Sequence, residues 1–424
     1  MIAAHTAFSD ELSPGLERSL RHLRDFLAVA DAGSVAGAST TMFKASSAVA
    51  RAIGELESAL GVALFERKPR GMLLNRYGEA ARDRARRIMA EISDVTDDLC
   101  RPGKRQTPTE RNAVMAVLLS GRSLLLMTTL ADVRSLSVAA TQVGLSQSGA
   151  SMALSRLEDT LTQPLFQRMS QGMVATDIGA KLVSRGKRIL AELRHMAADI
   201  AAISGTVQGT ITIGALPLAR TFVLPTALAA AVKAHPHLRI STVESPYETL
   251  AAGLRDGDID FILGALRETD KSTDLVTEPL FEDRMGILVR AGHPLVGKAL
   301  ALADLLDLPW ILPRPSAPGR HLIDLSFRAL GVVPPVPVVE TGDLAVLRGL
   351  LQSSDMLTAL SPHQLHYEIA AGELVELAIP LGTTVRRIGL TIRRGALLSP
   401  AAEAVLGEIR RVAAARAACG EKIS

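Results

Sequence analysis

Ser146, Gln147, Ser148 and Ser151 crowd the start of the stretch LSQSGASMALSRLEDTLTQPLFQR, Leu145 to Arg168. A primary amide donates and accepts at once, which matches the paired acceptor and donor on the major-groove edge of adenine. Serine hydroxyls adapt to either partner. Arg168, further along, suits a phosphate oxygen. Ser146 also has a plain structural role open to it, as the N-cap of a helix, and can fill both. At a constant offset of 101 residues upstream stands KASSAVARAIGELESALGVALFER, Lys44 to Arg67. Here Ala45-Ser46 replaces the Ser-Gln pair, and Arg51 stands where the other copy has Met152. Lys44, Ser46, Ser47, Arg51, Arg67 and Arg70, with Lys68 and Arg76 beside them, suit phosphate or minor-groove contact. The alternative for this copy is a degenerate unit used only for packing or dimerisation.

The elements that position these residues are written twice. Residues 34–91 align with 135–192 without a gap, and 19 of 58 positions are identical, which argues for duplication of one folded unit. Leu23, Phe26, Leu27 and Ala30 recur at helical spacing. Ser34 is placed to cap a short helix to about Met42; after the turn at Phe43–Ala45, Ser46-Ser47 can cap a third. Along the third helix Val49, Ile53, Leu56 and Leu60 form the buried stripe, giving a helix-turn-helix. RKPRGMLLNRYG then reads as a β-wing around Arg70-Gly71. The second unit repeats this order with Ser135, Gly144, Ser146 and a wing around Gly172. A longer helix follows each wing. Leu182, Ile189, Met196 and Ile203 recur every seven residues, with Leu193 and Ile200 between them; Ala81, Ile88, Val95 and Ala85, Ile92, Leu99 match them upstream. A seam of this kind predicts self-pairing, a homodimer or homotetramer through these helices, or else packing on the chain's own core.

From Thr210 strands alternate with helices, as in an α/β domain with a largely parallel sheet. TITIG, LRISTVE and DIDFILGA read as strands, with helices over 219–234 and 247–255. GILVR, PWILP, PVPVVE and DMLTAL mark a second sheet; RRIGLTIRR returns, and a helix over 400–418 ends the chain. Two lobes joined by two crossings make a cleft. Pro217, Arg220, Ser245, Arg314, Ser316, Thr341 and Ser361 fall at or near helix starts after strand ends, where free N–H groups and the helix dipole attract anions. Each of them also fits a helix cap or an exposed surface position. The cleft predicts a small-molecule effector, a sugar or a carboxylate.

The resulting fold class is multidomain: two all-α winged helix-turn-helix units with long linker helices, then a two-lobed α/β domain of the periplasmic-binding-protein type. The expected boundaries are 18–100 for unit 1, a polar linker over 101–110, 111–203 for unit 2 and 209–418 for the α/β domain. Within that domain lobe I covers 209–287 and 385–418, and lobe II covers 288–384. Composition narrows the function. Ten basic and five acidic residues lie between Lys44 and Arg87, and six and three between Leu145 and Arg188. Charge alone leaves phosphate contact and a solvated face both open. No run is apolar enough for a membrane span and no signal peptide is visible, so a cytoplasmic protein is expected. Two cysteines and nine histidines show no metal-ligand spacing. No phosphate loop or nucleophile elbow is present, so no catalytic residue, metal or cofactor is expected. The competing reading makes the α/β domain a solute-binding or catalytic module, with unit 1 serving only dimerisation.

The stretch AATQVGLSQSGASMALSRLEDTLTQPLFQR with ATDIG, its upstream counterpart LESALGVALFERKPRGMLLNRYG, and GTITIGALPLARTFVLPTALAAAVKAHPHLRI with LRDGDIDFILGAL resemble the LysR-type transcriptional regulators across residues 20–418. DLPWILPRPSAPGRHLIDLSF is similar to a subgroup of sugar- and aromatic-acid-linked regulators that includes the galactose-binding-protein regulator. The resemblance implies binding to double-stranded DNA, effector control of transcription, self-association and contact with RNA polymerase. It implies DNA contact by the segment holding Ser146, Gln147, Ser148 and Ser151. The family usually has a basic residue where Met152 stands. It also has one helix-turn-helix, beside the effector domain; the first unit is an addition.

Overall fold

The protein is described by a computed structural model over residues 16–68, 71–99, 108–267, 274–382 and 384–420. Arg70 and residues 101–107 of the expected linker lie outside the described residues. Unit 1 opens with a 3-10 segment, Leu16–His22, and continues through α1 (Leu23–Ala32), α2 (Val35–Met42), α3 (Ser46–Leu60), β1 (Phe65–Lys68), β2 (Gly71–Leu74) and α4 (Arg76–Leu99). Unit 2 runs through α5 (Pro108–Leu118), α6 (Gly121–Val133), α7 (Leu136–Gln142), α8 (Gln147–Leu161), β3 (Phe166–Met169), β4 (Gly172–Ala175) and α9 (Asp177–Ile203). α5 starts inside the stretch read as linker, because Pro108 is tolerated at a first helical position.

Several identities between the copies fall at the joints of the fold. Ser34 and Ser135 cap α2 and α7 by accepting from the amides of Gly37 and Val138. The α1–α2 and α6–α7 turns need a left-handed residue, Gly33 in one copy and Arg134 in the other. Their carbonyls hold the wings, accepting from Met72 N–H and Met173 N–H at 2.8 Å each. Glu57 and Glu158 each accept from the amide that begins the wing, Leu64 and Leu165, at 2.7 Å. Gly78 and Gly179 let the long helices start against the wing, since a Cβ would sit 2.1 and 2.0 Å from the carbonyl oxygens of Leu64 and Leu165. The cap of α3 differs from expectation. Ala45 holds the N-cap position without a side-chain bond, and Ser46 and Ser47 are already helical. The hydroxyl lost there is retained in unit 2, where Ser146 accepts from Gly149 N–H at 3.1 Å.

The seven-residue seams find their partner within the chain. α4 and α9 lie antiparallel, with Tyr77 near Ser204 at one end and Asp94 near Arg185 at the other. Ala81, Ala85, Ile88, Ile92 and Val95 from one side and Leu182, Ile189, Leu193, Met196 and Ile200 from the other are all buried. Ile203 is half-buried, and the side chain of Leu99 lies outside the described residues. The expectation of pairing with a second chain is therefore corrected at this seam: the duplicate unit supplies the second helix. Both units share one continuous apolar cluster.

The α/β domain holds two five-stranded sheets. The first lobe is built from β5 (Gly209–Ala215), α10 (Val223–Ala234), β6 (Leu238–Val243), α11 (Tyr247–Asp256), β7 (Phe261–Ala265) and β8 (Leu275–Asp283). The chain then crosses to β9 (Gly286–Arg290), β10 (Trp310–Leu312), α12 (Pro318–Ala329), β11 (Val339–Glu340), α13 (Leu344–Ser353), β12 (Leu357–Leu360), α14 (His366–Ala370) and β13 (Leu374–Leu377). It returns through β14 (Arg386–Arg393) and ends in α15 (Pro400–Gly420). The strand orders are β6-β5-β7-β14-β8 and β11-β10-β12-β9-β13. β5, β6 and β7 run parallel, as do β10, β11 and β12, so each lobe gathers its loop ends on one edge. α10 starts four residues later than the expected 219–234 helix, after a 3-10 turn at Pro217–Arg220. Of PVPVVE only Val339 and Glu340 pair as a strand. Among the described residues no helix is long and apolar enough to cross a membrane.

Candidate nucleic-acid interface and effector cleft

α8 buries Ala150, Leu154, Leu157 and Leu161 and exposes the opposite side. Ser146, Gln147, Ser148 and Ser151 are exposed there, and Arg168 is exposed on the wing strand β3. Ser146 and Ser148 share a hydrogen bond at 3.2 Å, so capping and presentation coexist. Sequence reasoning passed over Arg156, exposed on the third turn of this face. Its signal was the charge-reversed counterpart, Glu55, in unit 1.

In unit 1, Ser46, Ser47, Arg51 and Arg67 are exposed on α3 and β1. Arg51 is 82% exposed and 3.9 Å from Glu55, whose carboxylate is drawn instead to His22 at 2.8 Å and Arg21 at 3.4 Å. Arg51 therefore keeps its guanidinium available for an anion or a base edge. Lys44 does not. Its ammonium lies 2.8 and 3.0 Å from the two oxygens of Asp25, a buried carboxylate on α1. The counterparts of this pair in unit 2 are Leu126 and Leu145, buried and partly buried in the apolar cluster. The assignment of Lys44 to phosphate is thus corrected: it neutralises an acid that the other copy replaces with leucine.

The α4–α9 seam carries reciprocal ion pairs. Arg84 meets Glu192 at 2.9 Å, and its counterpart Arg185 meets Glu91 at 2.6 Å. Arg87 meets Glu192 at 2.8 Å, and its counterpart Arg188 approaches Glu91 at 3.5 Å. Contacts exchanged in this way define a two-fold relation between the units. Arg84 is fully buried. It donates to both oxygens of Asp199, to Glu192 and to the carbonyls of Leu397 and Leu398 in the α/β domain. Burial alone would lower its pKa, but Asp199 and Glu192 outweigh it and hold the guanidinium charged. Burial likewise works to raise Glu192, and Arg84 and Arg87 reverse the shift. Further along α9, Lys187 bridges Asp132 of α6 and Asp258 of lobe I at 2.8 and 2.7 Å, and Ser184 bonds Asp256 at 2.5 Å. The paired helices are therefore polar-bonded to lobe I along their length.

The residues read from the sequence as effector contacts separate into two groups. Pro217, Arg220, Arg314 and Ser316 are exposed, and Ser245 and Thr341 half-exposed, at the carboxyl edges of their sheets. Pro246, Ala317 and Asp343 hold the actual N-cap positions, so Ser245, Ser316 and Thr341 stand just outside the helices. Thr341 accepts from Asp343 N–H. Ser361 is fully buried and donates to Asp283 at 2.6 Å, while Arg386 holds the other carboxylate oxygen at 3.2 Å. These three residues come from the end of β8, the end of β12 and the start of β14, where the lobes join. Ser361 is corrected from ligand contact to junction residue, a role its local sequence could not signal. Burial raises the pKa of Asp283 against the pull of Arg386 and Ser361. Thr221 of lobe I donates to the His363 carbonyl of lobe II, and Phe222 stacks near His366.

Residues 20–79 and 122–180 each match the bacterial regulatory helix-turn-helix protein model of the lysR family, and residues 204–414 match the LysR substrate binding domain. The chain is 44% identical over 394 residues to the HTH-type transcriptional regulator GalR of Pseudomonas putida, covering 93% of this chain and 97% of that one. It is 25% identical over 301 residues to GbpR of Azospirillum brasilense, covering 70% of this chain and 88% of that one. The longer alignment is long enough to take in both helix-turn-helix units; the shorter has room for one and the effector domain. Full-length OxyR C199D from Pseudomonas aeruginosa shares the fold, with a TM-score of 0.53 at 22% identity over 68% of this chain and 97% of that one. GalR and GbpR are named as transcriptional regulators, and the chain, which joins two helix-turn-helix units to a substrate-binding domain, belongs to the LysR-type transcriptional regulators.

Proposed function

We propose that this regulator reads double-stranded DNA with both α3 and α8, held as an intramolecular pair by α4 and α9. The observation that carries this reading is that both helices expose their polar faces while their backs share one core. Gln147, with Ser146, Ser148 and Ser151, is assigned to base edges, Arg51 with Ser46 and Ser47 to the equivalent face, and Arg67 and Arg168 on their wing strands, with Arg70, to phosphate. An effector bearing hydroxyl or carboxylate groups, a sugar or an organic acid, occupies the cleft between the lobes. Pro217, Arg220, Ser245, Arg314, Ser316 and Thr341 form its rim. Its binding biases the lobe arrangement, and the bonds from lobe I to α9 carry that bias to the reader pair. Further copies associate outside the filled α4–α9 seam, and RNA polymerase is the downstream contact in a cytoplasmic setting.

Footprinting at several salt concentrations tests the DNA assignment. Arg51→Ala is expected to shrink the protected region and Gln147→Ala to weaken the specific complex, both with the salt slope largely retained, whereas Arg67→Ala lowers the slope by about one counterion. An unchanged footprint in Arg51→Ala together with an unchanged slope in Arg67→Ala would remove unit 1 from the DNA and leave it as a packing module.

A further inference from the structure

We infer that one chain recognises a DNA element of two unlike half-sites, one read by each unit. This rests on the reading of α3 and α8 as DNA helices and adds what each of them selects. The seam between α4 and α9 is two-fold in its contacts, as the exchanged pairs Arg84–Glu192 and Arg185–Glu91 show. Two readers related in this way face half-sites about one helical turn apart, in inverted orientation. In a homodimer they would be chemically identical and the element a palindrome.

Here the readers differ at several exposed positions, while the buried stripe of each stays apolar: Val49, Ala52, Ile53 and Leu56 in α3, and Ala150, Leu154, Leu157 and Leu161 in α8. Position 51 is arginine in unit 1, and its counterpart is Met152, 57% exposed. A guanidinium selects guanine through O6 and N7; an exposed thioether offers only apolar contact, suited to a thymine methyl. Ser46 is the counterpart of Gln147, so in unit 1 an adaptable hydroxyl replaces an adenine-selective amide. One turn further, Glu55 and Arg156 reverse the charge. Glu55 is held by His22 and Arg21, away from the groove-reading role, while Arg156 is exposed. The guanine-selective arginine therefore stands one turn later along α8 than along α3. The half-site of unit 1 carries its guanine opposite Arg51. The half-site of unit 2 carries adenine opposite Gln147 and places its guanine further along the groove.

Selection from a random-sequence duplex pool by the full-length protein tests this. The expected element holds two unlike half-sites, and Arg51→Met alters the selected bases in one half alone. Gln147→Ser alters the other half. Both variants install the residue of the sister copy at an exposed site, so folding is retained, and circular dichroism confirms it. Each weakens binding to the parent element about tenfold or more, as the loss of a bidentate base contact does. Arg51→Met combined with Met152→Arg moves the guanine preference from one half to the other. Identical half-sites, or a single variant changing both halves or neither, would overturn the inference while leaving DNA binding in place. No enrichment of any sequence would overturn the DNA-reading proposal itself.

Discussion

At the scale of single residues, comparing the two copies separates structural charges from functional ones. Asp25 and Lys44 form a pair whose acid is buried, and the sister copy fills both positions with leucine. Lys44→Leu alone leaves a buried carboxylate without its cation and is expected to lower stability by about 1–3 kcal/mol. Asp25→Leu with Lys44→Leu should recover most of that loss, measured by chemical denaturation; a double variant no better than the single one would refute the compensation. From sequence Lys44 looked like a phosphate contact because a cation before a recognition helix fits that role. Its acid lies 19 residues away on another helix, and no local pattern connects them. Ser361 misled for the same reason, since its partner Asp283 is 78 residues distant. The exposure of Gln147 on α8 and of Arg51 on α3 was legible, because the buried stripe of each helix leaves them on the opposite face.

At the scale of elements, periodicity identified what was buried without identifying against what. The heptads of α4 and α9 were read correctly as a seam, but a seam is equally satisfied by a second chain or by a sister helix 101 residues away. β8 escaped notice because LVTEPLFED alternates charged and apolar residues around a proline, and β13 because four residues carry little pattern. The glycines that join the wing to the long helix make a sharper test. Gly78→Ala forces a Cβ against the Leu64 carbonyl, so the backbone must shift at a cost of about 1–3 kcal/mol. Gly54→Ala, in the interior of α3 with nothing within 4 Å, should instead stabilise by about 0.5–1 kcal/mol. Thermal unfolding of the two variants, shifted in opposite directions, checks both; Gly78→Ala unfolding at the parent temperature would contradict the close approach.

At the scale of the whole molecule, the lobe junction and the α9–lobe I bonds join three bodies into one mechanical path. His363 marks the junction. Burial, with Arg416, His366 and Arg284 nearby, pushes its pKa down to about 4 from an ordinary 6.5, with Asp283 3.9 Å away. The unfolded chain thus binds this proton more readily than the folded one. Stability should fall as pH drops from 6.5 towards 4, and His363→Gln should flatten that part of the curve. A pH profile identical in parent and variant would show that the imidazole is not held neutral.

The seam between α4 and α9 also removes a mass-action step. A regulator that pairs its readers by dimerising loses that pairing on dilution, and its occupancy of an operator rises with a power of protein concentration. With both helix-turn-helix units on one tether, each sees the other at a fixed effective concentration set by the chain. Scarcity of the protein cannot separate them, and heterologous dimers cannot form at this interface. Each unit is then free to drift in sequence without its twin having to follow.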